Sequence, residues 1–193
     1  LFATDSFPRT LKLAKLAQEL GFYCPYMGDS QMIWREPYAI LGAAHTATQR
    51  ITLATGVTNP ITRDLGVIAA GWVTLQETVG DRLLLGIGSG DSSLESLGKK
   101  PSTLANLERS IAVLRGLIGG KTVTYPDTNA EVRLTYAREG TRIPLYIAVS
   151  SPKIHRLAGK IGDGAIVLVG TDETFLRASR RELEAGAAEG GRN

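Results

Sequence analysis

Leu83-Leu84-Leu85-Gly86-Ile87-Gly88-Ser89-Gly90-Asp91 is the stretch that decides the fold. Its apolar run passes directly into glycines and a carboxylate, a pattern typical of a strand that is buried on both faces and ends in a turn. The same pattern predicts strands near residues 23–27, 51–57, 145–149 and 164–169. Helical periodicity fills the intervals and predicts helices over 8–21, 37–48, 68–79, 103–118, 151–162 and 173–189.

Strands that alternate with helices predict an α/β fold with a parallel sheet. Two architectures satisfy this order, an open doubly wound sheet and a (β/α)8 barrel. Residues 1–4 are a candidate sixth strand, and residues 121–142 form a polar, irregular excursion that suggests a small hairpin. Because a full barrel typically takes about 250 residues, we expect residues 1–193 to form a single, partial barrel domain of about six βα units.

The composition excludes several classes of protein. A net charge of +3 without a Lys/Arg cluster argues against a nucleic-acid partner. No uncharged apolar stretch of about 18 residues is present, so we expect no membrane span. The single cysteine, Cys24, lies in an apolar run and is expected to be a buried structural thiol. Without a signal-peptide pattern at the first residues, we expect a cytoplasmic protein.

Small polar residues follow all five predicted strands, and ligands of parallel βα folds gather at such strand ends. Asp29 and Asp91 are therefore candidate site residues, although both are equally well explained as helix N-caps. Ser150-Ser151-Pro152 opens a helix and is either a phosphate site or an ordinary helix start. We expect no metal site, because His45 and His155 lack partners at ligand spacing, and no Gly-x-Ser-x-Gly motif indicates a triad hydrolase.

Read together, the segments resemble the bacterial-luciferase-like family of flavin- and deazaflavin-dependent oxidoreductases, closest to its methylenetetrahydromethanopterin reductase-like branch. The similarity runs from about Leu11 to Gly170. The motifs that carry it are Gly28-Asp29-Ser30 with Trp34 and Pro37-Tyr38, Thr55-Gly56-Val57-Thr58-Asn59-Pro60-x-Thr62-Arg63, Leu75-x-Glu77-x-x-Gly80-x-Arg82, Leu85-Gly86-Ile87-Gly88-Ser89-Gly90-Asp91, Pro144-Leu145-Tyr146-Ile147-Ala148 and Leu157-Ala158-Gly159-x-x-Gly162-Asp163-Gly164.

The resemblance implies a TIM barrel that binds coenzyme F420, or alternatively FMN, over its strand ends. It also implies a non-prolyl cis peptide at Gly56-Val57. The implied cofactor-binding residues are Asp29, Thr55, Gly56, Val57, Thr58, Asn59, Gly88, Asp91, Val149, Ser150, Ser151 and Pro152. Ser151 stands where many relatives have glycine.

The implied catalytic residues are Asp91 and Asp29, and we favour Asp91 as the proton donor. Ser30 and Trp34 lie on the substrate side in this reading, and Ser30 stands where many relatives have a histidine that can transfer protons. The function that follows is hydride transfer between F420 and a small organic substrate. The alternatives are an FMNH2-dependent monooxygenase and a non-catalytic flavin-binding or scaffold protein. We also expect a homo-oligomer, because closed dimers are the commonest assembly.

Overall fold

Five parallel strands organise the chain in the computed structural model, which describes residues 6–192. They are β1 (Tyr26–Met27), β2 (Leu53–Thr55), β3 (Leu83–Ile87), β6 (Leu145–Val149) and β7 (Gly164–Val167). The short strands β4 (Val123–Thr124) and β5 (Glu131–Val132) pair antiparallel as a separate hairpin, which confirms the hairpin suggested for the excursion. The candidate strand at residues 1–4 lies outside the described residues.

The described helices occupy the intervals between strands, as predicted. They are α1 (Phe7–Glu19), α2 (Pro37–Ala47), α3 (Leu65–Val79), α4 (Ser92–Glu95), α5 (Leu104–Ile118), α6 (Pro152–Ile161) and α7 (Glu173–Glu189). Helix α3 begins three residues before its predicted start, because the Asp64 carboxylate caps it by accepting from the N–H groups of Gly66 and Val67. The four-residue helix α4 was not predicted.

The order of the strands decides between the two architectures. In the described sheet the order is β1-β2-β3-β6-β7, and every pair is parallel. Successive strands always add at the same edge, whereas a doubly wound sheet reverses its order at a switch point. The sheet is therefore singly wound, as in a (β/α) barrel.

The apolar core lies between the sheet and the helices that cover it. All five residues of β3 are buried, as the continuous apolar run predicted. Met27, Leu53 and Trp72 are also fully buried. Buried polar side chains collect just beyond the carboxyl ends of β1 and β2, at Asp29, Thr58 and Asn59.

Asp163 joins the opposite, amino-terminal ends of the strands. It accepts hydrogen bonds from the Leu145 N–H at 2.9 Å, from Arg115 at 2.9 Å and from Arg142 at 2.7 Å. Burial by itself raises the pKa of Asp163, but these donors and the Arg115 charge outweigh it and hold the pKa below its usual value. The carboxylate of Asp163 therefore holds the amino-terminal end of β6 against Arg115 and Arg142.

Among residues 6–192, no helix is both long and apolar enough to cross a bilayer. In the same described range, no three His, Cys, Asp or Glu side chains are grouped so that they could share a metal ion.

Candidate active site

Three neighbouring strands are tied together just beyond their carboxyl ends. The Thr58 N–H donates to the Gly86 carbonyl at 3.0 Å, and the Gly88 N–H donates to the Thr58 carbonyl at 2.9 Å. The Thr58 hydroxyl donates to Asp29 at 2.7 Å, which reaches back to the end of β1. Thr58, in the loop that follows β2, thus links the polar ends of β1 and β3.

Asp29 is buried, with 2% of its surface exposed, and both of its carboxylate oxygens are occupied. Oδ1 accepts from Gln31 at 3.2 Å and from Arg63 Nη2 at 2.9 Å. Oδ2 accepts from Thr58 at 2.7 Å and from Arg63 Nε at 2.9 Å. Each oxygen has two lone pairs, so the four donors fill the hydrogen-bonding capacity of an ionised carboxylate.

Arg63, the last residue of the motif that begins at Thr55, is a site residue whose role is visible only in the structure. Besides its two bonds to Asp29, it donates to Glu36 at 3.0 Å, and its guanidinium lies 4.7 Å from the centre of the Tyr38 ring. Burial alone would lower the pKa of Arg63, but the hydrogen bonds and charge of Asp29 raise it above its usual value. The sequence signal was an arginine four residues beyond Asn59, in a loop that follows a strand end.

Small residues shape the surface next to this cluster. The peptide bond between Gly56 and Val57 is cis, which confirms the expectation drawn from the resemblance. A Cβ added to Gly88 would lie 3.1 Å from Val57 Cγ2 and 3.3 Å from Ala148 Cβ. Val57, Gly88 and Ala148 therefore meet, and form a floor of small side chains across β3 and β6.

The side chains of Thr55 and Asn59 make their hydrogen bonds inside the protein. Thr55 Oγ1 donates to the Gly86 carbonyl and accepts from its N–H. Asn59 donates to Thr62 and to Ser93, and its carbonyl accepts from the N–H groups of Ile61 and Thr62. The side chains of these two residues thus hold the loop in place, and a ligand would contact their backbone groups.

The structure also answers whether the two candidate aspartates are helix caps. Asp91 is exposed and precedes α4, but its carboxylate makes no capping hydrogen bond. Asp29 is followed by a turn, and its side-chain contacts are those given above. Neither carboxylate is used as a cap, so both remain candidates for chemistry.

Ser30 and Trp34 lie at the same rim. The Ser30 and Ser92 hydroxyls are 3.0 Å apart, which joins the end of β1 to the first turn of α4. The half-buried Trp34 ring packs on Gly28, where an added Cβ would approach it to 2.9 Å. A cavity of about 190 Å³ opens beside these residues, lined by Asp29, Ser30, Gln31, Trp34, Arg35, Glu36, Pro37 and Arg63.

Helix α6 begins differently from most of the longer helices. Helices α2, α3, α5 and α7 each receive a side-chain cap, from Glu36, Asp64, Thr103 and Asp172. The Ser151 side chain makes no such bond, and Pro152 occupies the first turn. Because Ser150 and Ser151 are exposed, the N–H groups at this end of α6 are accessible to an anion.

Comparison with known proteins decides the family. The family model described as luciferase-like monooxygenase matches residues 3–193 of the chain. The chain belongs to this family. This luciferase-like chain is also 34% identical, over 92% of its length, to an F420-dependent glucose-6-phosphate dehydrogenase of Beutenbergia cavernae. It is 31% identical, over 98% of its length, to a 5,10-methylenetetrahydromethanopterin reductase of Methanolobus tindarius.

Solved structures have the same fold as the luciferase-like chain. The coenzyme F420-dependent tetrahydromethanopterin reductase of Methanopyrus kandleri superposes with a TM-score of 0.85 at 24% identity, and covers 100% of this chain. An F420-dependent secondary alcohol dehydrogenase in complex with an F420–acetone adduct gives the same TM-score and identity. The chain spans 57% and 59% of its two curated relatives and 61% and 64% of these two structures.

Proposed function

We propose that this luciferase-like chain is the cofactor-binding part of an oxidoreductase that transfers a hydride between coenzyme F420 and a small organic substrate. The observation that carries the proposal is the pairing of an uncapped α6 with a floor of small residues, both at the carboxyl ends of adjacent strands. Relatives named F420-dependent glucose-6-phosphate dehydrogenase support the choice of cofactor.

The residues present fit such a cofactor. Ser150, Ser151 and the first N–H groups of α6 would bind its phosphate, because the amino end of a helix carries unsatisfied donors and a positive partial charge. Val57 and Gly88 would support the ring, since Gly88 adds no side chain to the surface between Val57 and Ala148. Val149 and Pro152 would contribute to cofactor binding through the backbone that leads into the first turn of α6.

F420 supplies the hydride chemistry at its C5 when it is bound. The chain would orient the ring, exclude water and provide one acid or base for the accompanying proton. Asp91 suits the proton role, since it is exposed at the rim and its carboxylate is not used as a cap. Trp34 and Ser30, beside the 190 Å³ cavity, would contact the substrate.

Parallel titrations with F420 and FMN, followed by fluorescence quenching, test the cofactor. We expect F420 to bind more tightly than FMN. We expect Ser151→Asp to weaken F420 binding by about tenfold or more, because the new carboxylate repels the negatively charged phosphate. The matched control is Thr128→Asp, which adds the same charge at an exposed position of the hairpin. Equal weakening in both variants would mean that the α6 end is not the anion site.

Turnover tests the proton donor. We expect Asp91→Asn to lower the hydride-transfer rate by about 10²- to 10⁴-fold, while F420 affinity changes by less than about threefold. Glu95→Gln, an exposed neighbour on α4, is the control. A rate unchanged in Asp91→Asn would remove Asp91 from the mechanism.

A monooxygenase that uses reduced FMN is the second candidate. The FMN complex of a Type II Baeyer-Villiger monooxygenase from Pseudomonas putida shares the fold, with a TM-score of 0.81 at 16% identity. Preferential binding of FMN in the parallel titration would favour it. Binding of cofactor without turnover under any tested reductant would favour a scaffold role. The reason to consider that role is Ser30, which stands where many relatives have an acid/base histidine.

The proposal includes a cytoplasmic homo-oligomer, most simply a dimer. In the described sheet, β1 and β7 each pair on one side, and Leu16, Leu20 and Phe22 expose apolar surface near β1. Such features favour association with further polypeptide. Sedimentation velocity over a range of concentrations measures it, and a concentration-independent monomer would contradict it.

A further inference from the structure

We infer that the hydroxyl of Ser92 is a hydrogen-bond donor for the substrate's oxygen, and that Ser30 is a positioning residue that orients this hydroxyl. The inference rests on the proposed function, because it names the substrate class of the same site, a small ketone or the corresponding secondary alcohol. It begins from the hydrogen bond between the two serine side chains.

The two hydroxyls form a pair at the rim where β1 and β3 end. Their oxygens are 3.0 Å apart, although the residues are 62 positions apart in sequence. Ser30 follows β1, and Ser92 is the first residue of α4, which follows β3. Within residues 6–192, neither hydroxyl has another hydrogen-bond partner. Two hydroxyls carry two hydrogens and the pair uses one of them, so one hydrogen is left for a ligand.

Burial decides which hydroxyl keeps that hydrogen. Ser30 is buried, with 7% of its surface exposed, whereas Ser92 is exposed. If Ser92 donated to Ser30, the Ser30 hydrogen would be buried without an acceptor in the described part of the chain, which is unfavourable. Ser30 therefore donates to Ser92, and the Ser92 hydrogen is free at the rim. A hydroxyl that accepts a hydrogen bond is a stronger donor, so Ser30 also strengthens the bond from Ser92 to a ligand.

The position of Ser92 does not depend on this pair alone. The next residue, Ser93, is buried and accepts from the Asn59 side chain at 3.0 Å. Leu94 is fully buried in the core. Because a four-residue helix has little stability of its own, these contacts with the core and with the loop after β2 hold α4 in place. Removal of the Ser92 hydroxyl should therefore leave the helix where it is.

The surroundings of the pair suit an oxygen on the reacting carbon of a small molecule. Asp91, the proposed proton donor, precedes Ser92 and is exposed at the same rim. Ser30 lines the cavity of about 190 Å³ that Trp34 also lines. A carbonyl oxygen gains negative charge as a hydride reaches its carbon. The hydrogen bond from Ser92 would therefore be stronger in the transition state than in the bound ketone.

The reaction balances for a ketone and reduced F420. The carbonyl carbon gains a hydride from C5 of the cofactor, which forms a C–H bond, and the electron pair of the C=O π bond moves to the oxygen. That oxygen takes a proton from Asp91, and the product is the secondary alcohol. The second hydrogen that reduced F420 loses is released as a proton and restores Asp91. Ser92 remains a hydroxyl throughout.

Infrared difference spectroscopy of cyclohexanone, labelled with carbon-13 at its carbonyl, tests the bond without cofactor. A hydrogen bond to a carbonyl oxygen lowers its stretching frequency, so the bound ketone should absorb at higher frequency in Ser92→Ala than in the wild type. Ser30→Ala should give an intermediate band, because the Ser92 hydroxyl is then present but not oriented. Ser96→Ala, which removes an exposed hydroxyl that donates to backbone carbonyls of α4, is the control and should match the wild type.

Reduction of cyclohexanone by reduced F420 measures the consequence for catalysis. We expect Ser92→Ala to lower kcat by about tenfold or more, with changes of less than about threefold in KM and in F420 affinity, because the bond strengthens in the transition state. Ser92→Thr keeps the hydroxyl and should retain most of the rate. Ser30→Ala should lower kcat less, and should have no further effect in the Ser92→Ala background, because Ser30 acts on the substrate's oxygen through Ser92.

Two serines that only support the fold would not give this pattern. Their substitutions would lower the urea midpoint, and the carbonyl band of the bound ketone would not follow the hydroxyl of Ser92. An unmoved band in Ser92→Ala, or no band of bound ketone in the wild type, would overturn the inference. Equal losses of kcat from Ser30→Ala in the wild-type and Ser92→Ala backgrounds would overturn the positioning role of Ser30.

Failure of the inference and failure of the proposed function give different results. If the carbonyl band moves as expected but no protein of the series oxidises reduced F420, the contact of Ser92 with the ketone stands and the proposed function is wrong. If the wild type reduces the ketone and Ser92→Ala does so at the same kcat, the proposed function stands and the inference is wrong.

Discussion

Replacing Thr58 by valine removes one buried hydrogen bond while it preserves the shape of the side chain. The lost bond is 2.7 Å long, and its acceptor is the buried carboxylate of Asp29, which also pairs with Arg63. Hydrogen bonds to charged groups contribute about 1.5–3 kcal/mol, and a buried acceptor left without its donor adds a desolvation cost within the same range. We expect Thr58→Val to lower the free energy of unfolding by about 2 kcal/mol, which is about thirtyfold in the folding equilibrium.

Equilibrium unfolding in urea measures this change. Thr58→Val should move the midpoint to lower urea at an unchanged slope, because the surface exposed on unfolding is the same. Thr74→Val makes the same chemical change at an exposed position of α3 and should stay within about 0.5 kcal/mol of the wild type.

Asp29 is the shared partner of Thr58 and Arg63, so the effects of substitutions at these two residues on the free energy of unfolding should not be additive. In a double-mutant cycle of Thr58→Val with Arg63→Lys, we expect a coupling of about 0.5 kcal/mol or more. A loss below about 0.5 kcal/mol in Thr58→Val, or equal losses in Thr58→Val and Thr74→Val, would refute the reasoning that this bond holds the loop.

Four further predictions concern other parts of the chain. Gly86→Ala should cost more than about 3 kcal/mol or abolish soluble expression, because its Cβ would lie 2.1 Å from the Thr55 carbonyl oxygen. Gly42→Ala, in a helix and with open space around the added carbon, should stabilise by about 0.5–1 kcal/mol in the same urea assay. The folded pKa of Asp163 is depressed, so its stabilisation is present above the unfolded pKa and is lost as the pH falls through the folded value. Asp163→Asn should therefore flatten the dependence of unfolding free energy on pH below about pH 5, and an unchanged slope would argue against it. Burial raises the pKa of Cys24 to about 12, so iodoacetamide at about pH 8 should label it far more slowly in native protein than in urea.

The helices and strands were largely predictable, because their signals are local. Apolar periodicity and glycine termini placed β3 at Leu83–Ile87 and β6 at Leu145–Val149, where the structure has them. The strand near 23–27 was predicted too long, since only Tyr26 and Met27 pair with β2. Phe22 and Tyr23, which precede the strand, are apolar but exposed. Their exposure could not be inferred from their residue type.

The site was predictable in its location but not in its contacts. Polar residues after successive strands indicated the correct end of the sheet, and the motif resemblance indicated the cis bond at Gly56-Val57. The partner of Asp29 was missed, because Arg63 lies 34 residues away in sequence. No periodicity relates two such residues, and only the pairing of β1 with β2 brings them together.

The sequence by itself determined the order of helices and strands, the family, and the end of the sheet at which polar residues collect, since each depends on residue type and short-range spacing. The tertiary structure alone decided that the sheet is singly wound and that neither the Asp29 nor the Asp91 carboxylate caps a helix. It also decided that Asp29 is buried among four donors while Asp91 is exposed. The physical reason is that the state of a carboxylate depends on which donors and how much water surround it, and these come from strands distant in sequence.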